Sequence, residues 1–301
     1  MSAAASGVAA PPAGAVPPLE DEPLVRTVLD DGLAFHHAER GDGPPLVFLH
    51  GVLGDWRTWA PQWPAFVPRF RCISYSRRYS VPNGNVRPSP DHSAVVEAQD
   101  LEALLPRWRA APAVLVGASY GGYAALALAC RRPDLVRALV LVEPPVMRLA
   151  DATEAGRLAR AAFDRDIRLP AREAFERGDD VRATWLLTEG ILGGADLGAQ
   201  SGAAMSRRLE NVASLRHLTL STDEFPPLDP ARLASPGVPV LLLSGERTPN
   251  VHDAVFRALC AAMPHAEHAK VPDAGHGVAR DAPAAFNALA LGFLARHGLP
   301  A

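Results

Sequence analysis

The segment from Val114 to Tyr123 constrains the fold of this chain more than any other stretch. It joins an apolar run to a Gly-x-Ser-x-Gly sequence with Ser119 at its centre, and an Ala/Leu-rich segment follows. A serine between a buried strand and a helix lies on a tight turn, and the flanking glycines leave the space that such a turn requires. The first amides of the helix then point at any negative charge that forms beside the hydroxyl. This pattern predicts that Ser119 is a nucleophile.

Short apolar runs alternate with helical segments along most of the chain. This alternation predicts an α/β fold with a mostly parallel central sheet and helices on both faces. Turn residues at 30–32 separate two short segments, 24–29 and 33–37, which we predict to form an antiparallel hairpin at one edge of the sheet. The other predicted strands are 46–49, 71–75, 113–116, 138–142, 238–243 and 268–271.

The pattern changes between residues 146 and 227. This segment predicts helices at 157–163, 171–177, 181–192 and 203–220 and contains no convincing strand. We interpret it as a helical cap inserted into an α/β core formed by residues 23–145 and 228–301. Residues 1–22 are rich in Ala and Pro and lack a basic start and a leucine-rich segment, which predicts a disordered tail rather than a targeting signal.

Composition narrows the range of partners. The net charge is −3 and no basic run occurs, so we expect neither nucleic acid nor an anionic membrane as a partner. A small-molecule substrate is expected instead. The three cysteines lie in apolar surroundings, which favours reduced thiols in a cytoplasmic protein. His265 and His268 have the spacing of metal ligands, but no cysteine or carboxylate group completes a set, so no metal or other cofactor is expected. The sequence does not specify an oligomeric state.

A serine hydroxyl is a poor nucleophile unless a base takes its proton, and an acid must hold and stabilise that base. His276 is the best candidate for the base. It lies in a glycine-flanked turn after the last predicted strand and before the last predicted helix, so it can reach across the strand ends towards Ser119. A dinucleotide-binding interpretation of the same turn requires a glycine at position 119, so the serine there argues against that interpretation.

Three motifs in order, His50-Gly51, the turn at 117–121 and Gly275-His276, resemble those of the α/β-hydrolase superfamily, and the resemblance covers about residues 24–298. It implies an α/β-hydrolase fold with Ser119 as nucleophile and His276 as base. It also implies an oxyanion hole built from the backbone amides of Val52 and Tyr120. One such amide stabilises a tetrahedral intermediate by about 3 kcal/mol.

The acid departs from the commoner pattern of this superfamily. There an aspartate follows the next-to-last strand, about three residues after a glycine, and here that place holds Thr248. Haloalkane dehalogenases and zearalenone-type lactonases carry a glutamate at the end of the strand that follows the nucleophile helix, and this chain is similar to them in having Glu143 there. We therefore expect Glu143 to be the acid, with Glu246 and Asp253 as alternatives.

A serine nucleophile indicates acyl transfer, so the expected function is hydrolysis of a small, largely apolar ester or lactone through an acyl-enzyme. Candidate substrate-binding residues lie on one predicted helix of the insert, since a helical lid turns an apolar face to the site. They are Trp185 and Leu186, with Leu187, Ile191 and Leu192. Arg78 is a candidate for binding a substrate carboxylate, although a structural role is the simpler interpretation. The alternative function is non-hydrolytic use of the same fold, as a lyase, a cyclase or a ligand receptor.

Overall fold

The central sheet forms from short apolar runs that turn residues separate. Its strands are β1 Val25–Val28, β2 Ala34–Arg40, β3 Pro45–Leu49, β4 Arg71–Tyr75, β5 Ala113–Ala118, β6 Val136–Val142, β7 Val240–Gly245 and β8 Glu267–Val271. The computed structural model describes residues 16–86, 90–193 and 202–300, and there these eight strands form one sheet in the order β1-β2-β4-β3-β5-β6-β7-β8. β1 and β2 form the predicted antiparallel hairpin at the edge, β2 also pairs antiparallel with β4, and the pairings from β4 to β8 are parallel. The predicted mostly parallel sheet is confirmed.

Helices cover both faces of this sheet. They are α1 Trp63–Phe66, α2 Ala94–Arg107, α3 Tyr120–Arg131, α4 Glu154–Phe163, α5 Leu169–Glu176, α6 Asp180–Leu192, α7 Gly202–Glu210, α8 Val212–Thr219, α9 Pro230–Ala234, α10 Asn250–Ala262, α11 Val278–Asp281 and α12 Pro283–Arg296. α2, α3 and α10 contribute to the apolar cluster on one face, and α1, α11 and α12 to the cluster on the other. No helix in the described ranges is long and apolar enough to cross a membrane.

The side chains of strand β5 are buried on both faces of the sheet. Leu115 points into one apolar cluster, whereas Val114 and Val116 point into the other, because successive side chains of a strand leave opposite faces. All three are fully buried, and burying such a side chain contributes about 1.5–3 kcal/mol. The parallel strands β3 and β5 to β8 all end at one edge of the sheet, so the residues that follow them gather there.

The stretch between β6 and β7 contains helices and loops but no strand within its described residues, as predicted. One prediction there is wrong, since 203–220 is not a single helix but the pair α7 and α8, separated at Asn211. The Asn211 side chain is fully buried, donates from Nδ2 to Asp55 Oδ2 at 2.8 Å and accepts from the Val81 N–H at 3.0 Å. These bonds to the core compete with a continuous helix, because an asparagine that bonds elsewhere favours a break.

The prediction of a disordered tail over residues 1–22 is wrong for its last part. Residues 1–15 lie outside the described ranges, but residues 16–22 are ordered. Leu19 is fully buried in an apolar cluster and lies on a short 3₁₀ turn, Leu19–Asp21, that contacts the turn Trp56–Trp59. Glu22 forms an ion pair with Arg40. Composition did not reveal that a single leucine anchors this segment.

A buried ion pair joins the loop after β4 to helix α2. Arg77 donates from Nη1 to both carboxylate oxygens of Glu97, at 2.6 and 2.5 Å, and both side chains are at most 2% exposed. Burial by itself raises the pKa of Glu97, but the charge of Arg77 and the hydrogen bonds outweigh it and lower the pKa to about 2. Glu97 is therefore ionised throughout the neutral range.

We expect Glu97→Gln to lower the free energy of unfolding by about 3–5 kcal/mol, because it leaves a buried guanidinium uncompensated. Urea unfolding of the two proteins measures this difference. The folded pKa of Glu97 is about 2, below the ordinary 4.5, so the difference in unfolding free energy is largest above pH 4.5 and shrinks as the pH falls towards 2.

The matched control is Glu102→Gln on the same helix. Glu102 pairs with Arg131 and Arg132 at the surface, and its loss is expected to cost under about 1 kcal/mol. Equal losses in the two variants would contradict the assignment.

Candidate active site

Ser119 lies on a strained turn between β5 and α3. Its backbone has φ 50° and ψ −121°, a left-handed conformation that is unfavourable for a residue with a Cβ. The Ser119 N–H donates to the Val142 carbonyl at 2.7 Å, and its own carbonyl accepts from the Tyr123 N–H at 3.0 Å. The neighbouring strand and the helix therefore hold the turn, and the hydroxyl faces a cavity.

Two glycines permit the close approach of the loop after β3 to this turn. A Cβ on Gly121 would lie 2.5 Å from the carbonyl oxygens of Leu49 and His50, which is impossible without displacing the backbone. A Cβ on Gly51 would lie 3.3 Å from the Cβ of Ser119. The backbone that follows β3 thus lies directly beside the serine.

His276 and Glu143 form a buried pair, and His276 lines the same cavity as Ser119. His276 Nδ1 lies 2.5 Å from Glu143 Oε2, and the two side chains are 4% and 1% exposed. The strand ends bring them together, since Glu143 follows β6 and His276 follows β8. Glu143 also has a left-handed backbone, with φ 42°, which its N–H stabilises by donating to the Leu243 carbonyl at 3.0 Å.

The Glu143 carboxylate accepts hydrogen bonds on both oxygens. Oε1 accepts from Ser244 Oγ at 2.7 Å and from the Gly245 N–H at 2.8 Å, and Oε2 accepts from Thr248 Oγ1 at 2.7 Å. Burial by itself raises the pKa of Glu143, but the hydrogen bond and charge of His276 and the bond from Thr248 lower the pKa to about 2. Glu143 is therefore an anion at neutral pH.

The structure does not bring the two alternative acids to His276. Asp253 pairs with Arg257 at 2.7 Å and also with Lys270, and Glu246 is an exposed residue whose Oε2 accepts a 3.4 Å bond from the Asp273 N–H. Thr248, where most of the superfamily has an aspartate, instead donates to Glu143.

A second imidazole, which sequence reasoning missed, stacks on His276. The ring of His252 lies 4.0 Å from that of His276, centroid to centroid, at an interplanar angle of 27°. Both ring nitrogens of His252 are buried without a hydrogen-bond partner, and burial followed by the nearby His276 lowers its pKa to about 3. His252 is thus a neutral flat surface against one face of the base. Its place at the start of α10 carried no signal, because only the packing of α10 against the His276 loop creates the contact.

The predicted oxyanion loop is held by buried polar groups. His50 Nδ1 donates to the Gly51 carbonyl at 2.8 Å, and His50 Nε2 accepts from the Arg77 N–H at 3.0 Å. Burial and then the charge of Arg77 lower the pKa of His50 to about 3, so this bonding pattern persists at neutral pH. The Tyr120 N–H is the first of α3 and has no acceptor within the helix, and Val52 lines the cavity.

A cavity of about 550 Å³ opens over Ser119 and His276. The core contributes residues of the loop after β3 and of α11, and the cap contributes the end of α6 and the face of α7. Its larger apolar side chains are Val52, Leu53, Trp59, Val142, Ile191, Leu192 and Val278. Its charged side chains are Glu20, Arg57, Arg207, Arg208 and Arg280.

Of the predicted substrate-binding side chains, Ile191 and Leu192 line this cavity, whereas Trp185, Leu186, Leu187 and Arg78 do not. Trp185 is 41% exposed on the surface, and Leu186 packs inside the apolar core of the cap. Arg78 donates from Nε to Asp100 at 2.8 Å, so it has a structural role. Helical periodicity indicated the apolar stripe of α6, but not that its last turn, with Ile191 and Leu192, is the part that reaches the serine.

Comparison with known proteins agrees with this geometry. The family model described as "Alpha/beta hydrolase family" matches residues 46–289. The chain belongs to this family. It is 30% identical over 260 residues to the sn-1-specific diacylglycerol lipase ABHD11 of Mus musculus, covering 84% of this chain and 81% of that protein. It is 28% identical over 278 residues to the putative carbamate hydrolase RutD of a Caulobacter strain, covering 88% and 96%.

Solved structures share the fold of this alpha/beta hydrolase. Est816, described as an N-acyl homoserine lactone degrading enzyme, matches with a TM-score of 0.68 and 23% identity, covering 90% of this chain and all of that one. The hydrolases among the sequence relatives support hydrolase activity for this chain. The predicted fold and family are thus confirmed.

We expect His252→Ala to lower kcat about 2- to 10-fold with little change in KM, because a stacked ring contributes about 0.5–1.5 kcal/mol to holding the base. His252→Phe keeps a flat ring and removes two unpaired nitrogens, so it should retain most of kcat and equal or exceed the wild type in melting temperature. Steady-state kinetics and thermal unfolding measure both. Unchanged kcat in His252→Ala would contradict a positioning role.

Proposed function

We propose that this alpha/beta hydrolase is a serine hydrolase that cleaves an ester or lactone through an acyl-enzyme, with Ser119, His276 and Glu143 as the triad. The observation that carries the proposal is the arrangement at three strand ends: a strained serine turn and a histidine line one cavity, and a carboxylate lies 2.5 Å from that histidine. Separate segments of the chain supply the three groups, and local structure alone does not require that they meet.

The reaction begins with attack of Ser119 Oγ on the substrate carbonyl carbon. A carbon–oxygen bond forms, and the hydroxyl proton passes to His276 Nε2. This nitrogen is buried and has no hydrogen-bond partner among the described residues, so it is available for the proton. The bond to the leaving oxygen then breaks, and His276 returns the proton to that oxygen. Water adds to the acyl-enzyme by the same two steps and releases the acid.

Glu143 supports both halves of this cycle. Its carboxylate fixes Nδ1 of His276 as the protonated nitrogen, which leaves Nε2 as the acceptor. Because its pKa is about 2, it does not titrate across the neutral range. The amides of Val52 and Tyr120 are proposed to stabilise the oxyanion, each by about 3 kcal/mol. The apolar part of the cavity suits the carbon skeleton of an ester and excludes water from the intermediate.

The names of the relatives are consistent with a carbonyl bonded to a heteroatom leaving group. They include a diacylglycerol lipase, a putative carbamate hydrolase and an N-acyl homoserine lactone degrading enzyme. Ester and lactone cleavage requires only the groups described above, and we therefore assign a small ester or lactone as the substrate class.

Ser119→Ala and His276→Ala are each expected to lower kcat on a p-nitrophenyl ester by about 10⁴-fold or more, because the residues act as one unit. Labelling by a fluorophosphonate should be lost in Ser119→Ala. Labelling of the wild type without turnover of any ester or lactone would favour the non-hydrolytic alternatives, a lyase or a cyclase. Absence of both labelling and turnover would favour a ligand receptor.

Glu143→Gln tests the acid and is expected to lower kcat by about 10³- to 10⁴-fold, as loss of the triad carboxylate does elsewhere. Thr248 offers a rescue, because its Oγ1 lies 2.7 Å from the carboxylate oxygen that meets His276. Thr248→Asp in the Glu143→Gln background should recover about tenfold or more of kcat by restoring an anion next to the base. Asp253→Asn is the control and should keep wild-type kcat. Full activity in Glu143→Gln would remove this acid from the proposal.

A further inference from the structure

Arg208 is a buried guanidinium that has no counter-ion among the described residues. It projects from α7 into the cavity over Ser119, is 7% exposed, and its Nη1 is buried without a hydrogen-bond partner in the same part of the chain. Burying a charged group is costly unless it is paired and hydrogen-bonded. In the described ranges no carboxylate forms an ion pair with Arg208, so the structure leaves this cost uncompensated.

The charges around the cavity do not supply that counter-ion. Of the described side chains that line the cavity, Glu20 is the one carboxylate, and it is exposed. Burial, and then the charge of Arg280, lower the pKa of Arg208 to about 10, whereas an adjacent carboxylate would raise it. Arg208 is still a cation at neutral pH. The cavity therefore presents a buried, unneutralised positive charge beside the apolar side chains Val142, Ile191 and Leu192.

The cap fixes the location of this charge. Arg208 is three residues before Asn211, whose side chain is bonded to Asp55 in the core and to the backbone of Val81. Asp55 also binds Arg57, which in turn reaches Glu210 at the end of α7. The end of α7 is thus tied to the core segment that follows the predicted oxyanion loop, and Arg208 is held in the same cavity as Ser119.

We propose that Arg208 binds a carboxylate of the substrate, so that the substrate class is an ester or lactone that also carries a free carboxylate. This inference rests on the serine hydrolase function proposed above. A guanidinium binds a carboxylate through two parallel N–H bonds, and the pairing supplies what Nη1 lacks. Ile191, Leu192 and Val142 offer apolar contacts to the carbon chain that separates the carboxylate from the scissile carbonyl. A neutral ester of equal length leaves Arg208 unpaired and is the poorer substrate.

The kinetic test compares two chromogenic esters of similar length, the anionic mono-p-nitrophenyl glutarate and the neutral p-nitrophenyl valerate. We expect the wild type to prefer the anionic ester in kcat/KM, and Arg208→Gln to lose about 10- to 100-fold on that ester alone, as expected for a charged hydrogen-bonded contact. Arg208→Lys keeps the charge without the fork and should fall between them. Arg165→Gln, an exposed cap arginine paired with Asp166, is the matched control and should change neither rate. Equal losses on the two esters would overturn the proposal.

A binding test separates this inference from the proposed function, because it needs no turnover. Calorimetry with monomethyl glutarate and dimethyl glutarate uses Ser119→Ala protein with and without Arg208→Gln. We expect about 10- to 100-fold weaker binding of the monoanion after Arg208→Gln and unchanged binding of the neutral diester. Equal binding of the monoanion by the two proteins would overturn the carboxylate site. Arg208-dependent binding in this experiment, together with a wild type that hydrolyses no ester, would uphold the site and reject the hydrolase.

Thermal unfolding tests whether the loss of activity in Arg208→Gln comes from a loss of stability instead. Because Nη1 makes no hydrogen bond, Arg208→Gln should melt at or above the wild-type temperature, as is common when a group is kept for binding rather than stability. A clear drop in melting temperature, with matching losses on both esters, would show that Arg208 is structural and would reject the proposal.

Discussion

The Glu143 carboxylate is a buried charge, and the candidate site depends on how the chain compensates it. An ionised group out of water is tolerated only when its oxygens are fully hydrogen-bonded and a partner balances it. Here β7 supplies Ser244 and the Gly245 amide, the following loop supplies Thr248, and the loop after β8 supplies His276. One carboxylate therefore connects three segments, and the compensation that stabilises it also orients the imidazole.

The same compensation shows how a carboxylate that follows β6 is connected to the loop after β7. The loop after β7 carries Thr248 where many members of the superfamily have an aspartate. It still contacts the site, because Thr248 donates a hydrogen bond to Glu143. Both places lie at neighbouring strand ends, and the hydrogen bond between them is 2.7 Å long. The parallel sheet makes the two arrangements almost equivalent in space although they are far apart in sequence.

The cap is attached to the core by polar contacts rather than by its apolar core alone. Asn211 interrupts the predicted helix in order to bond Asp55 and Val81, and this break lies just after Arg208. The apolar cluster of the cap meets the loop after β3 through Val52 and Leu53. The proposed carboxylate-binding residue on α7 and the predicted oxyanion loop thus lie at the same contact between cap and core. We therefore expect changes in α7 to affect both substrate selectivity and the geometry of that loop.

The sequence by itself determined the α/β fold and the order of strands and helices along the chain, because apolar periodicity and turn residues are local properties. Predicted helix boundaries came within a few residues of the observed ones for α4, α5 and α6 for the same reason. The sequence also predicted Ser119, His276 and Glu143 as candidate site residues, from motifs and from the resemblance to the α/β-hydrolase superfamily. Tertiary structure alone decided which side chains meet: His252 against His276, Arg208 in the cavity, and Trp185, Leu186 and Arg78 away from it. Contacts between the helices of the cap and the core depend on the length of each helix and on the polar bonds that attach it to the core. Neither can be predicted from a local sequence pattern.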